Sequence, residues 1–348
     1  MKARKTLAVL FVTVVFSVTL AVAAAPKGGY HLLTKYPLTA APGGAEYWDY
    51  ITFDPKSRLL YVSHNTEVKV VAADTGKVTG SIGDLKRVHG IALVAQLGKG
   101  YISDGGADEA VVFDIKTLKV TGHIKTGKNP DCIIYDPASK HVFTMNGKSN
   151  DASVIDPATD AVIATIPMGG RPEYAVADGR GMIYDNIEDK NEVVAIDSRS
   201  NSVKARWPIA PAEEATAMDM DVKHRRLFIG GRNKILAIMD ADSGKIVQNF
   251  PIGAGVDTNI YDPKSGMLFT AAREGTLHIF HEDSADKFSK VEDVKTEFGA
   301  RNAAFDPKTH KVFISTADFG PAPAATTEQP HPQPVPAPGT FRLLVYGR

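Results

Sequence analysis

Six side chains suited to acid–base work, metal ligation or anion recognition recur along the chain at nearly even intervals: Asp49, His89, Asp131, Glu173, Asp257 and Arg301, with Thr216 in the one gap. Successive members of this series are 40 to 44 residues apart. Brought to one place, four carboxylates, an imidazole and a guanidinium would perturb one another's ionisation unless a cation or Arg301 neutralised the acids. Several chemistries fit the set. Asp49, Asp131, Glu173 and Asp257 are hard oxygen donors of the kind calcium takes, and His89 favours zinc or another transition ion, so these five form a candidate site for a divalent cation. Arg301 and His89 can instead hold the anionic end of a small molecule while the carboxylates take its hydroxyls or amines. A third possibility is a solvated polar opening whose charges pair among themselves. A hydrolase or lyase could also be assembled, with His89 as general base and a cation or Arg301 as electrophile. No motif chooses among these: the chain has no G-x-S-x-G elbow, H-E-x-x-H, P-loop or C-x-x-C-H.

The intervals belong to a repeat of the whole chain. An aromatic inside a short β-branched run returns at Tyr61, Tyr101, Phe143, Tyr184, Phe228, Phe269 and Phe313, again 40 to 44 residues apart. Asp54, Asp136, Asp221, Asp262 and Asp306 each stand seven residues before one of these aromatics, and most are followed by Pro. An Asp at a turn accepts backbone N–H bonds, so these five read as turn formers. Each unit closes with two more short strands around a polar turn, as in VVFDIKTLKV and IMDADSGKIV. Four short strands in a period of about 42 residues mark a propeller blade, because a sheet this small buries its faces only by stacking on neighbours. The predicted fold class is all-β, a seven-bladed β-propeller with four-stranded blades. The seventh unit ends after its third strand, and an extra strand from His31 to Leu38 supplies the fourth. That pairing closes the ring and leaves no open edge.

The first strand of each blade in a propeller lines the central channel. Counting back twelve residues from each aromatic, or eleven in the fourth unit, gives Asp49, His89, Asp131, Glu173, Thr216, Asp257 and Arg301, one per blade at the channel mouth. Two positions further on stand Ile51, Ile91, Ile133, Ala175, Met218, Asn259 and Ala303, a mostly apolar bore. The candidate ligand-binding residues are therefore Asp49, His89, Asp131, Glu173, Asp257 and Arg301, with Trp48 beside the mouth and Asn259 just inside it. Second-strand ends are expected to add His64, Asn65, Asp104, Asn146, Asp185, Asn186, Arg232 and Arg273 to the same face, and Tyr47, Tyr50 and Tyr174 to add aromatic surface. Strand alternation turns Cys132 away from Asp131 into the packing between blades. His141, His224, His278, His281 and His331 lack metal-ligand spacing. Gly320 to Gly339 holds seven prolines and falls between the second and third strands of the last unit. It is an insertion, either a solvated loop or a lid or docking strip over the mouth face.

The second-strand runs Tyr61-Val62-Ser63-His64, Tyr101-Ile102-Ser103-Asp104 and Phe313-Ile314-Ser315-Thr316 resemble the motif of the YVTN-repeat β-propellers, most closely their exported YncE-like members. The resemblance extends from about Tyr30 to Arg348. It implies a WD40/YVTN-like propeller and an exported protein. It implies no single activity, since propellers of similar architecture bind ligands, open lactones, act as lyases or dehydrogenase subunits, or hold a modified haem.

Charge and composition narrow the partners. Of 348 residues 40 are basic, 40 are acidic and one is Cys, so a disulfide scaffold is excluded. Residues 1–25 read as a secretory signal, with Lys2, Arg4 and Lys5 ahead of an apolar stretch from Leu7 to Val22 and a cleavage point after Ala23 or Ala25. No Cys follows to take a lipid anchor. Losing those three basic residues leaves 37 against 40, which argues against nucleic acid as partner, including the DNA binding proposed for some YncE-like members. The expectation is a monomeric, soluble protein of the bacterial periplasm or exterior, with one propeller domain over residues 26–348. It would bind a small molecule, a metal-containing species or a periplasmic protein at its mouth.

Overall fold

The computed structural model describes residues 28–38, 46–324 and 332–348. The expected signal segment lies outside these residues, as does part of the proline-rich insertion. Among the described residues no helix is long and apolar enough to cross a membrane. The strands form seven four-stranded antiparallel sheets, each a blade, and in the first six they run in chain order from the innermost strand outward. Ile51–Asp54, Val88–Val94, Pro130–Asp136, Pro172–Ala177, Ala215–Asp221, Val256–Asp262 and Asn302–Asp306 are the innermost strands. The seventh blade is completed by His31–Pro37, which pairs antiparallel with Arg342–Gly347. The predicted fold and its closure are therefore both present.

The repeated aromatics explain the stacking. Seven apolar clusters lie one between each pair of neighbouring blades, and each second-strand aromatic inserts into the interface with the following blade. Tyr61 meets Phe113 of the second blade at 5.9 Å between ring centroids, and Phe313 of the seventh meets Phe53 of the first at 6.3 Å. On the face away from the mouth the repeated Asp residues cap turns. Asp136 accepts the N–H groups of Ala138 and Ser139, and Asp221 those of Lys223 and His224. In the fourth blade, where the spacing is one residue shorter, Asp178 does the same for Arg180 and Met182. The second blade, which lacks the Asp, uses a 3-10 turn over Ala95–Leu97.

Closure is reinforced where the closing strand crosses onto the first blade. Tyr36 lies over Gly76, in the turn between the third and fourth strands of that blade, and its hydroxyl donates to Ala73 O at 3.3 Å. A Cβ on Gly76 would stand 2.2 Å from the Tyr36 ring, and the residue has φ +71°, so both packing and backbone require glycine there. Arg58 of the first blade also pairs with Asp306 of the seventh at 2.7 Å. Burial alone would raise the Asp306 carboxyl, but Arg58, Thr309 and the Lys308 N–H hold it down at about 2.

The innermost strands carry the feature that matters for the mouth. In the second to sixth blades the ladder slips at or just before the residue that faces the axis, between Val88 and Ile91, Pro130 and Ile133, Pro172 and Ala175, Ala215 and Ala217, and Val256 and Thr258. A bulge re-aims the side chain it carries, and here the carriers include His89, Asp131, Glu173, Thr216 and Asp257. Serine from the second-strand motif holds the backbone at the mouth: Ser103 Oγ accepts Gly90 N–H within the bulge of the second blade, and Ser63 Oγ accepts Asp49 N–H at the entry of the first, each at 2.7 Å. Beyond the bulge every blade returns to the same register, Ile51 opposite Val62 and Ile91 opposite Ile102 through to Ala303 opposite Ile314.

Candidate functional site

All seven of the axis-facing positions, Asp49, His89, Asp131, Glu173, Thr216, Asp257 and Arg301, line one cavity of about 660 Å³ at the channel mouth. Its floor is closed by aromatic rings. Tyr50 of the first blade reaches across the axis and donates to Glu173 O of the fourth at 3.1 Å, and its ring packs on Tyr174 with centroids 5.2 Å apart. Tyr50 lines both this cavity and a second one of about 750 Å³ on the far side, where the apolar bore residues stand.

One group of acids surrounds His89. Its Nδ1 lies 2.8 Å from Asp49 Oδ2, 3.4 Å from Asp131 Oδ1 and 3.0 Å from the Tyr47 hydroxyl, which itself donates to Asp49. With acceptors on three sides, Nδ1 is the nitrogen that carries a proton. Burial pulls the imidazole pKa down, but the Asp131 charge and the Asp49 hydrogen bond outweigh it and the net shift is upward. Asp131 is pushed up to about 7 by burial, against the pull of His89 and with Asp49 and Asp257 adding to the rise. Glu173 rises well above the usual carboxylate range through burial, then through Asp131 and Glu188. Across the mouth Arg301 Nε pairs with Asp257 at 2.6 Å. Asn302 bridges Asp49 and Asp257 at 3.3 and 3.4 Å, tying three blades together. The donor atoms of Asp49, His89 and Asp131 lie within 4.8 Å of one another, close enough to hold one metal ion.

Sequence reasoning missed the cations around these acids. Arg87, Lys148, Arg171, Arg232 and Arg273 line the same cavity, with Arg301 making six; only Arg232 and Arg273 had been expected on this face. Glu188 is buried between Arg171 and Arg232 and pairs with both. Arg87 and Arg273 have no carboxylate partner among the described residues and are held by stacking instead. Arg87 lies 4.4 Å from the Tyr47 ring centroid, and Arg273 lies 5.3 Å from Phe298 and 5.9 Å from Phe319. Asp104 fixes the backbone beside Arg87 by accepting the N–H groups of Lys86 and Arg87. A simple signal was available: Tyr47, Arg87, Asn129 and Arg171 each stand two residues before an axis-facing residue, and Glu188, Arg232 and Arg273 four after a repeated aromatic.

Asn259 lies in the bore and Trp48 beside the mouth, while the second-strand residues expected on this face lie elsewhere. Asn259 is buried, with its amide donating to Phe228 O and accepting from Thr270, so both polar ends serve the packing of blades. Trp48 lines a neighbouring pocket, stacked near Phe341 and Phe319. His64 is buried against Glu46, Asn146 bonds Asp151 and Ser153, and Asn186 bonds Ala217 O. Asp185 is wholly buried, and neither of its oxygens has a protein partner among the described residues. These residues are still inside the second strands, where side chains enter the blade interfaces; the mouth is lined by the turns that follow. Cys132 is buried between blades near Ala175. His224, set aside by spacing, meets Asp221 and Glu282 from the next blade, a contact no local pattern reveals.

No family model and no curated protein matches the chain. Among solved structures, a chain of Kuenenia stuttgartiensis hydrazine synthase aligns with a TM-score of 0.68 at 17% identity, covering 78% of this chain and 92% of that one. A chain from a mitotic checkpoint complex aligns with a TM-score of 0.70 at 15% identity, covering 97% and 99%. The likeness is one of fold. Such different systems sharing one propeller leave the activity to be argued from the mouth itself.

Proposed function

We propose that this chain is an exported propeller of the YVTN-repeat kind whose mouth binds a small organic anion. The observation that carries the binding is the pair Arg87 and Arg273, two guanidiniums without carboxylate partners among the described residues, lining a cavity of about 660 Å³. A planar fork of donors already fixed on an aromatic ring loses little freedom when it takes a carboxylate. Asp49, Asp131 and Glu173 line the same cavity and can take the ligand's hydroxyl or amino groups. Binding is favoured over turnover because His89 presents no free base: Nδ1 is enclosed by acceptors, and Nε2 abuts Gly105, where a Cβ would lie 2.7 Å away. Export is supported by the pattern of residues 1–25, and kinship by the second-strand motif whose serines brace the mouth.

Titration with succinate at constant ionic strength tests this reading. At a hundredfold excess over its dissociation constant the ligand should stabilise the wild type by about 2.7 kcal/mol, while an Arg87→Gln/Arg273→Gln variant should show no rise in melting midpoint. Equal behaviour of the two proteins would sink the proposal.

The grouping of Asp49, His89 and Asp131 donor atoms within 4.8 Å supports a second reading, a divalent cation at the centre of a lactonase- or lyase-type enzyme. Zinc would suit His89, and calcium the carboxylates with Glu173 and Asp257 near them. Elemental analysis of purified protein beside an Asp131→Ala/Glu173→Ala variant separates the two. Stoichiometric metal present in the wild type and lost from the variant would replace the anion reading.

A further inference from the structure

Beside the mouth lies a smaller annex of about 430 Å³, and the two cavities share Tyr47, Arg87, Arg273, Arg301 and Gln333. The annex differs in character from the mouth. Its remaining walls are Glu46, Trp48, Gly299, Phe319, Pro334 and Pro336, so the rings of Tyr47, Trp48, Phe319 and two prolines surround it. The one acid among them is already engaged, since Glu46 pairs with His64 and accepts the Gly339 N–H at 2.8 Å. These walls are built and held. Phe319 bridges to Pro336, with Gly320 N–H donating to Val335 O at 2.9 Å and Ala337 N–H to Asp318 O at 2.7 Å. Phe319 packs on Phe298 with centroids 4.9 Å apart and on Trp48 at 6.0 Å. The described arms of the proline-rich insertion thus form one wall of a pocket that opens onto three guanidiniums.

Resting on the anion reading above, we propose that the ligand is an aromatic carboxylate, its acid group at the junction of Arg87, Arg273 and Arg301 and its ring in the annex between Trp48, Phe319, Pro334 and Pro336. Three features of the junction argue for this class. A carboxylate matches the guanidinium fork in plane and spacing. Flat apolar walls favour an aromatic body, which stacks edge or face against Trp and Phe. Arg87 and Arg273 are themselves stacked on Tyr47 and Phe319, so a ring entering the annex extends an existing aromatic and cationic array. Polar substituents on the far side of the ligand would face the Asp49 and Asp131 carboxylates.

The test uses four probes on the full chain: acetate, benzyl alcohol, phenylacetate and phenyl phosphate. The chain has two tryptophans, so in a Trp207→Phe background emission reports Trp48 alone. Phenylacetate is expected to bind at least tenfold more tightly than acetate or benzyl alcohol and to change Trp48 emission. Phe319→Leu should cut that advantage, read as the ratio of phenylacetate to acetate affinity, to threefold or less, and Phe319→Tyr should keep it, which guards against loss of fold. Phenylacetate no tighter than acetate would overturn the annex assignment, as would tight binding that is silent at Trp48 or indifferent to Phe319→Leu. Phenyl phosphate favoured over phenylacetate would overturn the carboxylate. If neither acetate nor phenylacetate binds, the anion reading falls and this inference with it; if acetate binds through Arg87 and Arg273 without any aromatic preference, only this inference falls.

Discussion

Removal of His31–Pro37 is expected to replace the species formed by the intact chain with larger soluble oligomers or aggregate on size exclusion. The strand supplies the outer edge of the seventh blade, so without it Arg342–Gly347 presents six residues of unpaired backbone to solvent. An open ladder of that length pairs with other chains. The loss reaches beyond one sheet, because Tyr36 anchors the strand on Gly76 of the first blade and Leu38 belongs to the cluster between the seventh and first blades. A graded version is Tyr36→Ala, which should cost about 3 kcal/mol, the lower end of the range for truncating a buried aromatic. Adding a peptide spanning His31 to Leu38 to the shortened chain should restore the elution of the intact chain, since an extended segment can complete a sheet edge in trans. A truncated protein that elutes and melts with the wild type would show that the ring closes without this strand.

The fold was legible because its physics repeats. Seven aromatics at nearly constant spacing can be satisfied only by seven equivalent interfaces, and the missing fourth strand of the last unit has one supplier, His31–Pro37. The axis-facing residues were legible for the same reason, since counting from an aromatic measures a fixed distance along two paired strands. The counting stopped being informative where the chain leaves the ladder. Arg87 and Arg171 lie ahead of the innermost strands and Arg232 and Arg273 after the second ones, in turns whose residues vary from blade to blade. Asp185 and Asn186 were misplaced by the opposite error, being assigned to the mouth while still inside a strand. The pairing of His224 with Glu282 joins residues 58 apart in the chain and depends on how two blades stack. The annex depends on an insertion present in one blade alone, so no comparison between repeats could reveal it.

Asp185 is where the repeat breaks its own rule, and replacing it should stabilise the protein. Its ladder partner is Ala175, and the corresponding residues of the other blades are Val62, Ile102, Thr144, Ile229, Thr270 and Ile314. Six blades thus place a β-branched side chain where the fourth places a fully buried carboxyl with no protein hydrogen-bond partner among the described residues. A buried polar group without a partner costs about 1–3 kcal/mol, so Asp185→Val, which restores the shape found in the first blade, should gain about 2 kcal/mol near neutral pH. The gain should depend on pH in a defined direction. Burial, and secondarily the Asp131 charge, hold the folded carboxyl well above its ordinary value of 3.8. The folded protein therefore keeps a proton that the unfolded chain releases as pH rises above that value, and wild-type stability falls with rising pH over that interval. Asp185→Val removes this slope, so its advantage in urea unfolding should be small at pH 4 and grow toward pH 8. An advantage that does not change with pH would mean that the carboxyl is not held neutral. Local rules fail in natural proteins chiefly where function requires it, so the same variant should be titrated with succinate. Weakened binding would connect the buried acid to the mouth through Asp131; unchanged binding would leave Asp185 as a cost carried by the fold alone.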